Sequence, residues 1–401
     1  MRKISFGSPQ YTCFHYFCCT AVLFSLFTMP CVSFAYEKSK VSAGWMHNFS
    51  LESDGTVYAW GSDDEGQLGD NDKNKKGKKK RVGIDALTDV ADIACGFQYT
   101  VALKLDGTVW AWGDNMNGQL GNGTNTDNDT PVQINNLSNV TAIACGGFHT
   151  VAVGSDGTVW SWGENVNGQL GDGTNTKRNT PVQVRGLSNV TAVACGRAHT
   201  VALRNNGVVW AWGLNTYGQL GDGTVVSKMT PVQVVNLSDI IAVACGRVHT
   251  IALRSDGTVW TWGYNENGEL GDGTTTNREV PSQITGIFDV IAIACGQYHS
   301  MALKSDGTVW TWGKNDNGQL GDDTYTKSTD PVQVGGINNI ISIAGGLMHS
   351  IAMNSDETVW AWGLNNYGQL GDGTNEDKKT PVISEKEKKE KKQKITNGGK
   401  L

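Results

Sequence analysis

A Trp-Gly pair recurs along this chain at a nearly constant interval, and that interval restricts the fold more than any other feature. The spacing is 52 residues once and then 50 residues five times, with the tryptophans at Trp60, Trp112, Trp162, Trp212, Trp262, Trp312 and Trp362. A unit of this length cannot bury its own apolar faces, so neighbouring units must pack on one another. The sequence therefore predicts seven copies of one unit, either stacked in a solenoid or arranged as the blades of a propeller.

Each unit is predicted to contain four short strands, and the third repeat illustrates the pattern. Residues 140–145 alternate small and β-branched side chains, which favours an innermost strand where space is tight. Residues 150–153 run back as a second strand, and the Asp-Gly pair that follows is a strong hairpin signal. Residues 158–162 place two tryptophans on one face of a third strand. Residues 181–184 begin with proline, which suits an outer edge strand.

Four antiparallel strands repeated seven times predict an all-β fold, a seven-bladed β-propeller. A β-helix is the alternative, but its turns are shorter and lack Asp-Gly hairpins. The chain of 401 residues contains 51 glycines and 14 tryptophans, which suits many turns between aromatic strands. We therefore expect one propeller domain over 36–384.

Closure of the ring depends on how the two ends of the propeller meet. Residues 380–383 repeat the outer-strand signature after the last Trp-Gly pair. We expect the two ends to meet in one blade, with 380–383 against strands near 41–60 or completing the seventh sheet beside them. Glu357 replaces the turn glycine of the seventh repeat, and this costs up to about 1 kcal/mol if the turn keeps its positive φ.

The segments that flank the propeller have their own compositions. Arg2 and Lys3 precede an apolar run over 22–29, and small residues close the segment at Ala35, so 1–35 is predicted to be a secretory signal peptide. An uncleaved membrane anchor is the alternative for 1–35. The Lys/Glu-rich segment 385–401 is predicted to be a charged, disordered tail. The expected location is secreted, periplasmic or at the cell surface, although unpaired thiols are unusual in exported proteins.

The repeats resemble those of the regulator of chromosome condensation family. The resemblance rests on three motifs, Ala-Cys-Gly-x-x-His-Thr, Asp-Gly-x-Val-Trp-x-Trp-Gly and Asn-x-x-Gly-Gln-Leu-Gly-Asp-Gly-Thr, which together cover about 41–383. The resemblance implies a seven-bladed propeller. Because its blades are uniform and it carries an export signal, the chain most resembles the secreted bacterial members of the family, one of which inhibits β-lactamase. Another branch exchanges guanine nucleotide on a small nuclear GTPase.

Periodic histidines and cysteines are the first candidates for chemistry. Six of the seven histidines share one repeat position, as do Cys95, Cys145, Cys195, Cys245 and Cys295. Identical residues spread around a ring do not converge on one point as metal ligands do, so each histidine is expected to bond backbone beside its own turn. Equivalent cysteines on adjacent blades should be about 10 Å apart, too far for a disulfide. The Asn/Asp-rich loops resemble calcium loops only weakly, and turn formation explains them.

These observations predict a protein without enzymatic activity, cofactor or metal. The net charge is −6 and the body is more acidic than the two ends, which argues against nucleic acid as a partner. We expect a secreted, monomeric protein-binding scaffold with an inhibitor-like action, which has no contact with the membrane after signal cleavage. A guanine-nucleotide-exchange-factor-like regulator of a small GTPase is the alternative function.

Strand direction locates the predicted binding surface. The Gly-x-x-His turns and the loops after each Trp-Gly pair should lie on one side, with the Asp-Gly turns opposite. Variable positions on the first side carry aromatic residues and methionine, which are enriched at protein interfaces. The candidate partner-binding residues are Trp45, Phe97, Phe148, Tyr217, Tyr264, Tyr298, Met348 and Tyr367.

Overall fold

A computed structural model describes residues 39–72 and 74–387 of the chain. The predicted signal peptide over 1–35 lies outside the described residues, as does the predicted tail over 385–401 except for 385–387. These three residues pair with Arg81 through backbone hydrogen bonds, so the expectation of disorder is wrong for them. In the described part, no helix has the length and apolar character needed to cross a membrane. The fold is a seven-bladed β-propeller of four-stranded antiparallel sheets, which confirms the predicted fold class.

Every blade consists of four consecutive strands in sequence order. The first blade contains β1 (Lys40–Ala43), β2 (His47–Leu51), β3 (Val57–Gly61) and β4 (Lys78–Gly83). The second contains β5 (Val90–Cys95), β6 (Tyr99–Lys104), β7 (Val109–Gly113) and β8 (Asn128–Gln133). The third contains β9 (Val140–Cys145), β10 (His149–Gly154), β11 (Val159–Gly163) and β12 (Arg178–Gln183).

The remaining four blades repeat this order. The fourth contains β13 (Val190–Cys195), β14 (His199–Arg204), β15 (Val209–Gly213) and β16 (Lys228–Gln233). The fifth contains β17 (Ile240–Cys245), β18 (His249–Arg254), β19 (Val259–Gly263) and β20 (Arg278–Gln283). The sixth contains β21 (Val290–Cys295), β22 (His299–Lys304), β23 (Val309–Gly313) and β24 (Ser328–Gln333). The seventh contains β25 (Ile340–Gly345), β26 (His349–Asn354), β27 (Val359–Gly363) and β28 (Lys378–Ile383).

The third blade shows why the local sequence folds this way. Thr150 pairs with Trp162 and Ala152 with Trp160, so small side chains on β10 lie opposite the two tryptophans of β11. At the hairpin turn, Gly157 adopts a φ of 75°, which a β-carbon would disfavour. The predicted four-strand pattern is confirmed, although β12 begins three residues earlier than the proline-led segment predicted.

The hydrophobic core lies between neighbouring blades. Trp162 of the third blade is completely buried against Val101, Leu103 and Val109 of the second blade. The same arrangement recurs around the ring, because each second tryptophan of a blade fills the cluster formed by the preceding blade. Burying one such indole removes roughly 150–250 Å² from water. The blades therefore depend on one another for their stability.

The two ends of the propeller meet at the first blade, as expected, but they do so through residues 385–387 beside β4 and not through 380–383. The N-terminal strand β1 belongs to the first sheet and the C-terminal strand β28 belongs to the seventh, where it pairs with β27. The alternative that 380–383 completes the seventh sheet is confirmed. Backbone hydrogen bonds and side-chain contacts both join the seventh blade to the first.

Glu357 supplies one of these contacts. Its φ is 67°, so the turn keeps the positive φ that glycine would favour. Its carboxylate accepts hydrogen bonds from Ser39 Oγ (2.5 Å) and from the Ser53 backbone N–H (2.7 Å) in the first blade. The strain at this turn is offset by a bridge across the junction of the two blades.

Two substitutions at Glu357 separate the cost of its positive φ from the contribution of its hydrogen bonds to the first blade. Glu357→Ala removes both hydrogen bonds and keeps the strained φ, whereas Glu357→Gly removes the bonds but relieves the strain. We expect the alanine variant to be less stable than the glycine variant by about 1 kcal/mol in urea-induced unfolding. Equal free energies of unfolding for the two variants would contradict the strain at this position.

Candidate functional site

The two predicted sets of loops do lie on one side of the propeller, which we call the upper face. The Glu164 N–H, after a Trp-Gly pair, donates to the Phe148 carbonyl in the neighbouring Gly-x-x-His turn at 2.8 Å. The Asp-Gly turns lie on the opposite, lower face, where the Ser155 N–H donates to the Asn139 carbonyl at 2.8 Å. The argument from strand direction is confirmed.

A ring of backbone hydrogen bonds links the turns around the mouth of the central channel. The Trp45 N–H donates to the Gly96 carbonyl (3.2 Å), and the Arg197 N–H donates to the Arg247 carbonyl (3.1 Å). The Leu347 N–H closes the ring by donating to the Trp45 carbonyl at 3.1 Å. The channel beneath has a volume of about 140 Å³ and is lined largely by glycine and cysteine. Residues at this mouth are therefore held on a fixed backbone.

Side chains at the mouth divide it into two chemically different parts. Trp45, Phe97 and Phe148 form an aromatic arc, with ring centroids 4.6 Å apart for the first pair and 5.1 Å for the second. Arg197 and Arg247 form a cationic arc in the next two blades, where burial and the neighbouring Arg197 lower the pKa of Arg247. The mouth thus offers apolar contact beside positive charge.

The other predicted residues lie at separate places on the upper face. Tyr217 and Tyr264 contact each other edge to face at 5.0 Å. Tyr298 lies between two cations, with Arg247 at 5.3 Å and Lys314 at 5.4 Å from its ring centroid. The structure therefore gathers the predicted aromatics into groups and not into one patch.

Exposure differs among the predicted residues. Tyr367 is exposed, at 41%, while the other seven are half-buried. The Met348 carbonyl accepts a hydrogen bond from the Leu364 N–H at 2.8 Å, as its equivalents do in other blades. Half-buried rings on a fixed backbone can add contact area with little loss of side-chain entropy.

The sequence reasoning missed several residues of this face. Arg197 and Arg247 occupy the same turn position as Trp45 and Phe97, so comparing the repeats at that position would have found them. Met116 and Val166 project from the longer loops and are 72% and 63% exposed. The prediction took aromatic residues and Met348 at variable positions, and it considered neither arginine nor the exposed Met116 and Val166.

The periodic histidines join neighbouring blades, which corrects the expectation that each bonds its own turn. His149 Nε2 lies 3.0 Å from Thr200 Oγ1, and this hydroxyl donates to the Gln169 carbonyl at 2.9 Å. Trp212 Nε1 donates to the same carbonyl at 2.8 Å. Because the threonine proton is directed to the carbonyl, His149 must carry its own proton on Nε2. The histidines are structural.

This inter-blade relay recurs around the ring with two variations. In the second repeat, the Tyr99 hydroxyl replaces histidine and donates to the His149 carbonyl at 2.5 Å. Between the seventh and first blades, His349 Nε2 contacts Asn48 Oδ1 at 2.7 Å, and Asn48 Nδ2 donates to the Gln369 carbonyl. Burial lowers the pKa of His149 from 6.5 to about 3, so its imidazole is neutral at physiological pH.

The five periodic cysteines are free and line the central channel. Burial raises the pKa of the Cys95 thiol to about 12 and raises the pKa of the other four thiols as well. A thiol that stays protonated is a poor nucleophile and a poor metal ligand. Across 39–72 and 74–387, no cluster of His, Cys, Asp or Glu is arranged to hold a metal ion.

The loops that resemble calcium sites are closed by side-chain amides. Asn165 Nδ2 donates to Asp172 Oδ1 (3.2 Å) and to the Thr174 carbonyl (3.0 Å). Arg178 binds the second oxygen of Asp172 at 2.9 Å. The amide and the guanidinium occupy the oxygens that a cation would need, so these are structural turns, as the sequence indicated.

Comparisons with known proteins agree with this architecture. The model of the RCC1-like domain family matches residues 28–292 and 138–401. Human WBSCR16 is similar in structure, with a TM-score of 0.72, 23% identity and coverage of 79% of this chain and 87% of that chain. Prp20p from Saccharomyces cerevisiae has a TM-score of 0.73 and 25% identity, with coverage of 82% of this chain and 86% of that chain.

Curated relatives match over shorter segments. The ultraviolet-B receptor UVR8 of Arabidopsis thaliana is 35% identical over 96 residues, which are 24% of this chain and 22% of that protein. The human E3 ubiquitin-protein ligase HERC2 is 32% identical over 102 residues, which are 25% of this chain and 2% of that protein. These matches span less than a quarter of either relative. The family model, in contrast, matches well over half of the residues, and the chain belongs to the RCC1-like domain family.

Proposed function

We propose that this chain is a non-catalytic, exported protein-binding propeller that captures a protein partner at the mouth of its upper face. One observation carries the proposal. The aromatic arc of Trp45, Phe97 and Phe148 lies beside the cationic arc of Arg197 and Arg247 on a backbone ring closed by hydrogen bonds. Trp and Arg are among the residues that contribute most to binding energy at interfaces.

The chemistry of the mouth supports a partner of a particular kind. A partner segment that inserts an apolar side chain against the aromatic arc could place a carboxylate against Arg197 and Arg247. Two guanidinium groups on adjacent blades can each form charge-assisted hydrogen bonds with such a carboxylate. Since the backbone is fixed before binding, little ordering free energy is lost on association. An acidic peptide loop of a folded protein fits this description.

Relatives support a protein as the partner. The yeast Prp20p structure is described together with the binding of Prp20p to Gsp1p and histones. This similarity favours the alternative proposal, a regulator that acts on a small GTPase in the manner of an exchange factor. Export of this chain is proposed from residues 1–35 of the sequence alone, and an inhibitor-like action would follow if the partner is an extracellular enzyme.

Capture from the native medium tests the proposed face. The upper-face variant Phe97→Ala/Arg197→Ala/Arg247→Ala should retain less than a tenth of the partner captured by the unmodified chain, because it removes the central ring of the aromatic arc and both guanidinium groups of the cationic arc. A second variant, Tyr217→Ala/Tyr264→Ala, tests the outer loops. The partner is identified by mass spectrometry and its affinity is then measured with the purified protein.

The lower face provides the matched control. Ser155, Asn205 and Ser255 are exposed at equivalent places in three blades, and their alanine variant should bind like the unmodified chain. All variants should melt within a few degrees of one another. Full capture by the upper-face variant would place the site elsewhere, and accelerated nucleotide release from a captured GTPase would favour the alternative function.

A further inference from the structure

The outer edge of one blade differs from the other six. Six outer strands carry a proline at the same position, namely Pro131, Pro181, Pro231, Pro281, Pro331 and Pro381. In β4 of the first blade this position is Arg81. A proline on an edge strand removes the outward N–H that an added strand would need. Arg81 restores that donor on a single blade.

The chain uses this donor after it leaves the seventh blade. The Arg81 N–H donates to the Glu385 carbonyl at 2.8 Å, and the Glu387 N–H donates to the Arg81 carbonyl at 2.9 Å. Lys386, between them, forms a parallel bridge with Arg81. Residues 385–387 therefore extend the sheet of the first blade by one short strand, although they follow directly on the seventh.

Side chains give this added strand a specific position. Lys386 Nζ lies 2.8 Å from the Glu52 carboxylate and 4.7 Å from the centroid of the Tyr58 ring. The Glu52 side chain is 5% exposed, and Arg81 pairs with it at 3.4 Å. Four other repeats place a cation where Glu52 stands, at Lys104, Arg204, Arg254 and Lys304. A buried carboxylate beside an aromatic face is a binding site for an ammonium group.

We propose that the outer edge of β4 is a binding site for an extended, lysine-containing peptide, and that the chain fills it with its own residues 385–387. The peptide backbone would bind by strand addition, and Glu52 and Tyr58 would select lysine at the central position. Because every blade consists of consecutive strands, this added strand provides the strand pairing that links the seventh blade to the first, in addition to the backbone hydrogen bond from Leu347 to Trp45.

Hydrogen exchange on the full chain tests the assignment. The backbone N–H of Glu387 should exchange at least tenfold more slowly than in a free synthetic peptide of residues 384–392. Lys386→Ala, which removes the ammonium group from Glu52 and Tyr58, should return most of this difference and lower Tm by about 3 °C. Exchange at the free-peptide rate in the unmodified chain would overturn the proposal.

Two substitutions at one position provide a matched pair. Arg81→Pro imitates the other six blades and removes the N–H, so Glu387 should lose its protection. Arg81→Lys retains the N–H and a positive charge, so Glu387 should stay protected. Equal protection in both variants would contradict strand addition at this edge.

The site could instead be filled by the segment of a second copy. Light scattering should give the mass of one chain at concentrations where Glu387 is protected, and dilution should not change the exchange rate. A dimer whose protection falls on dilution would overturn the intramolecular assignment. Two synthetic peptides of residues 384–392 test the selection of lysine, one with Lys386 and one with alanine in its place. The peptide with Lys386 should bind more tightly to the Lys386→Ala protein.

Discussion

Acidification from pH 7.5 to pH 5.5 is expected to destabilise this propeller by several kcal/mol, because its periodic histidines are buried as neutral rings. Burial lowers the pKa of each from 6.5 to about 3 in the folded chain, at His47, His149, His199, His249, His299 and His349. Between pH 3 and 6.5 the unfolded chain therefore binds more protons than the folded chain. Stability is fully present above about pH 6.5 and is lost as the pH falls.

The magnitude follows from the fraction of protonated histidine in the unfolded chain. At pH 5.5 about nine-tenths of each unfolded histidine is protonated, which costs about 1.4 kcal/mol per residue. Six such residues together cost about 8 kcal/mol, comparable to the whole stability of many proteins. Five carboxyl groups act in the opposite direction and reduce this loss. Burial raises the pKa of Asp63 from 3.8 to about 7, and it also raises the pKa of Glu65, Asp114, Glu164 and Glu269. Urea-induced unfolding at pH 7.5, 6.5 and 5.5 measures the net effect.

The second repeat suggests a matched variant. Tyr99 stands in the histidine position there and forms a bond to the next blade without titrating near neutral pH. In His199→Tyr, the pH dependence of the free energy of unfolding should fall by about one proton near pH 5.5, or about 1.2 kcal/mol per pH unit. The contributions of the other titrating groups are the same in the unmodified chain and in His199→Tyr, so they cancel when the two pH profiles are subtracted. Parallel profiles for the two proteins would show that His199 does not contribute.

The fold could be predicted from the sequence because its signals are local and repeated. Each strand alternates with period two, each Asp-Gly pair marks a hairpin, and the interval between Trp-Gly pairs sets the number of blades. Single departures, such as Ala43 in the cysteine position, did not disturb the prediction. Repetition averages out local exceptions, so the architecture and the upper and lower faces were both inferred correctly.

Contacts between blades could not be predicted in the same way. The His149–Thr200 hydrogen bond joins residues 51 positions apart, and a strictly periodic sequence does not show which neighbour each residue meets. The segment that meets the first blade was placed at 380–383 and lies at 385–387 for a related reason, since any register of identical repeats satisfies the strand pattern. The positions where one repeat differs from the others show which blades meet. Contacts across the junction of the first and seventh blades are made by four such residues, namely Asn48, Glu52, Arg81 and Glu357.

The candidate site was predicted only in part. The face was inferred from strand direction, which depends on local hairpins, and Trp45, Phe97 and Phe148 do meet at its centre. Arg197 and Arg247 were missed because their turn position was compared for aromatic content alone. Arg197 and Arg247 lie near the aromatic arc because the closed ring places the turns of different blades around one channel mouth.

Trp262→Ala is expected to lower the free energy of unfolding by about 4 kcal/mol, the cost typical of a large-to-small change in a packed core. The indole is completely buried among Val209, Leu220 and Leu237 of the preceding blade. Its Nε1 donates to the Gln219 carbonyl at 2.9 Å, so the change also leaves a cavity beside an acceptor that loses one partner. Urea-induced unfolding at pH 7.5, followed by circular dichroism, gives the free energy.

Two matched variants separate burial from the hydrogen bond. Trp260 lies two residues away on the same face but is half-buried, so Trp260→Ala should cost about 1–2 kcal/mol, because less apolar area is lost. Trp262→Phe keeps most of the apolar contact and removes the N–H, and should also cost about 1–2 kcal/mol. If Trp260→Ala proved as destabilising as Trp262→Ala, the packing of the second tryptophan between blades would not be the main source of stability. If Trp262→Phe were neutral, the bond to Gln219 would contribute nothing measurable, and the junction between blades would depend on apolar packing alone.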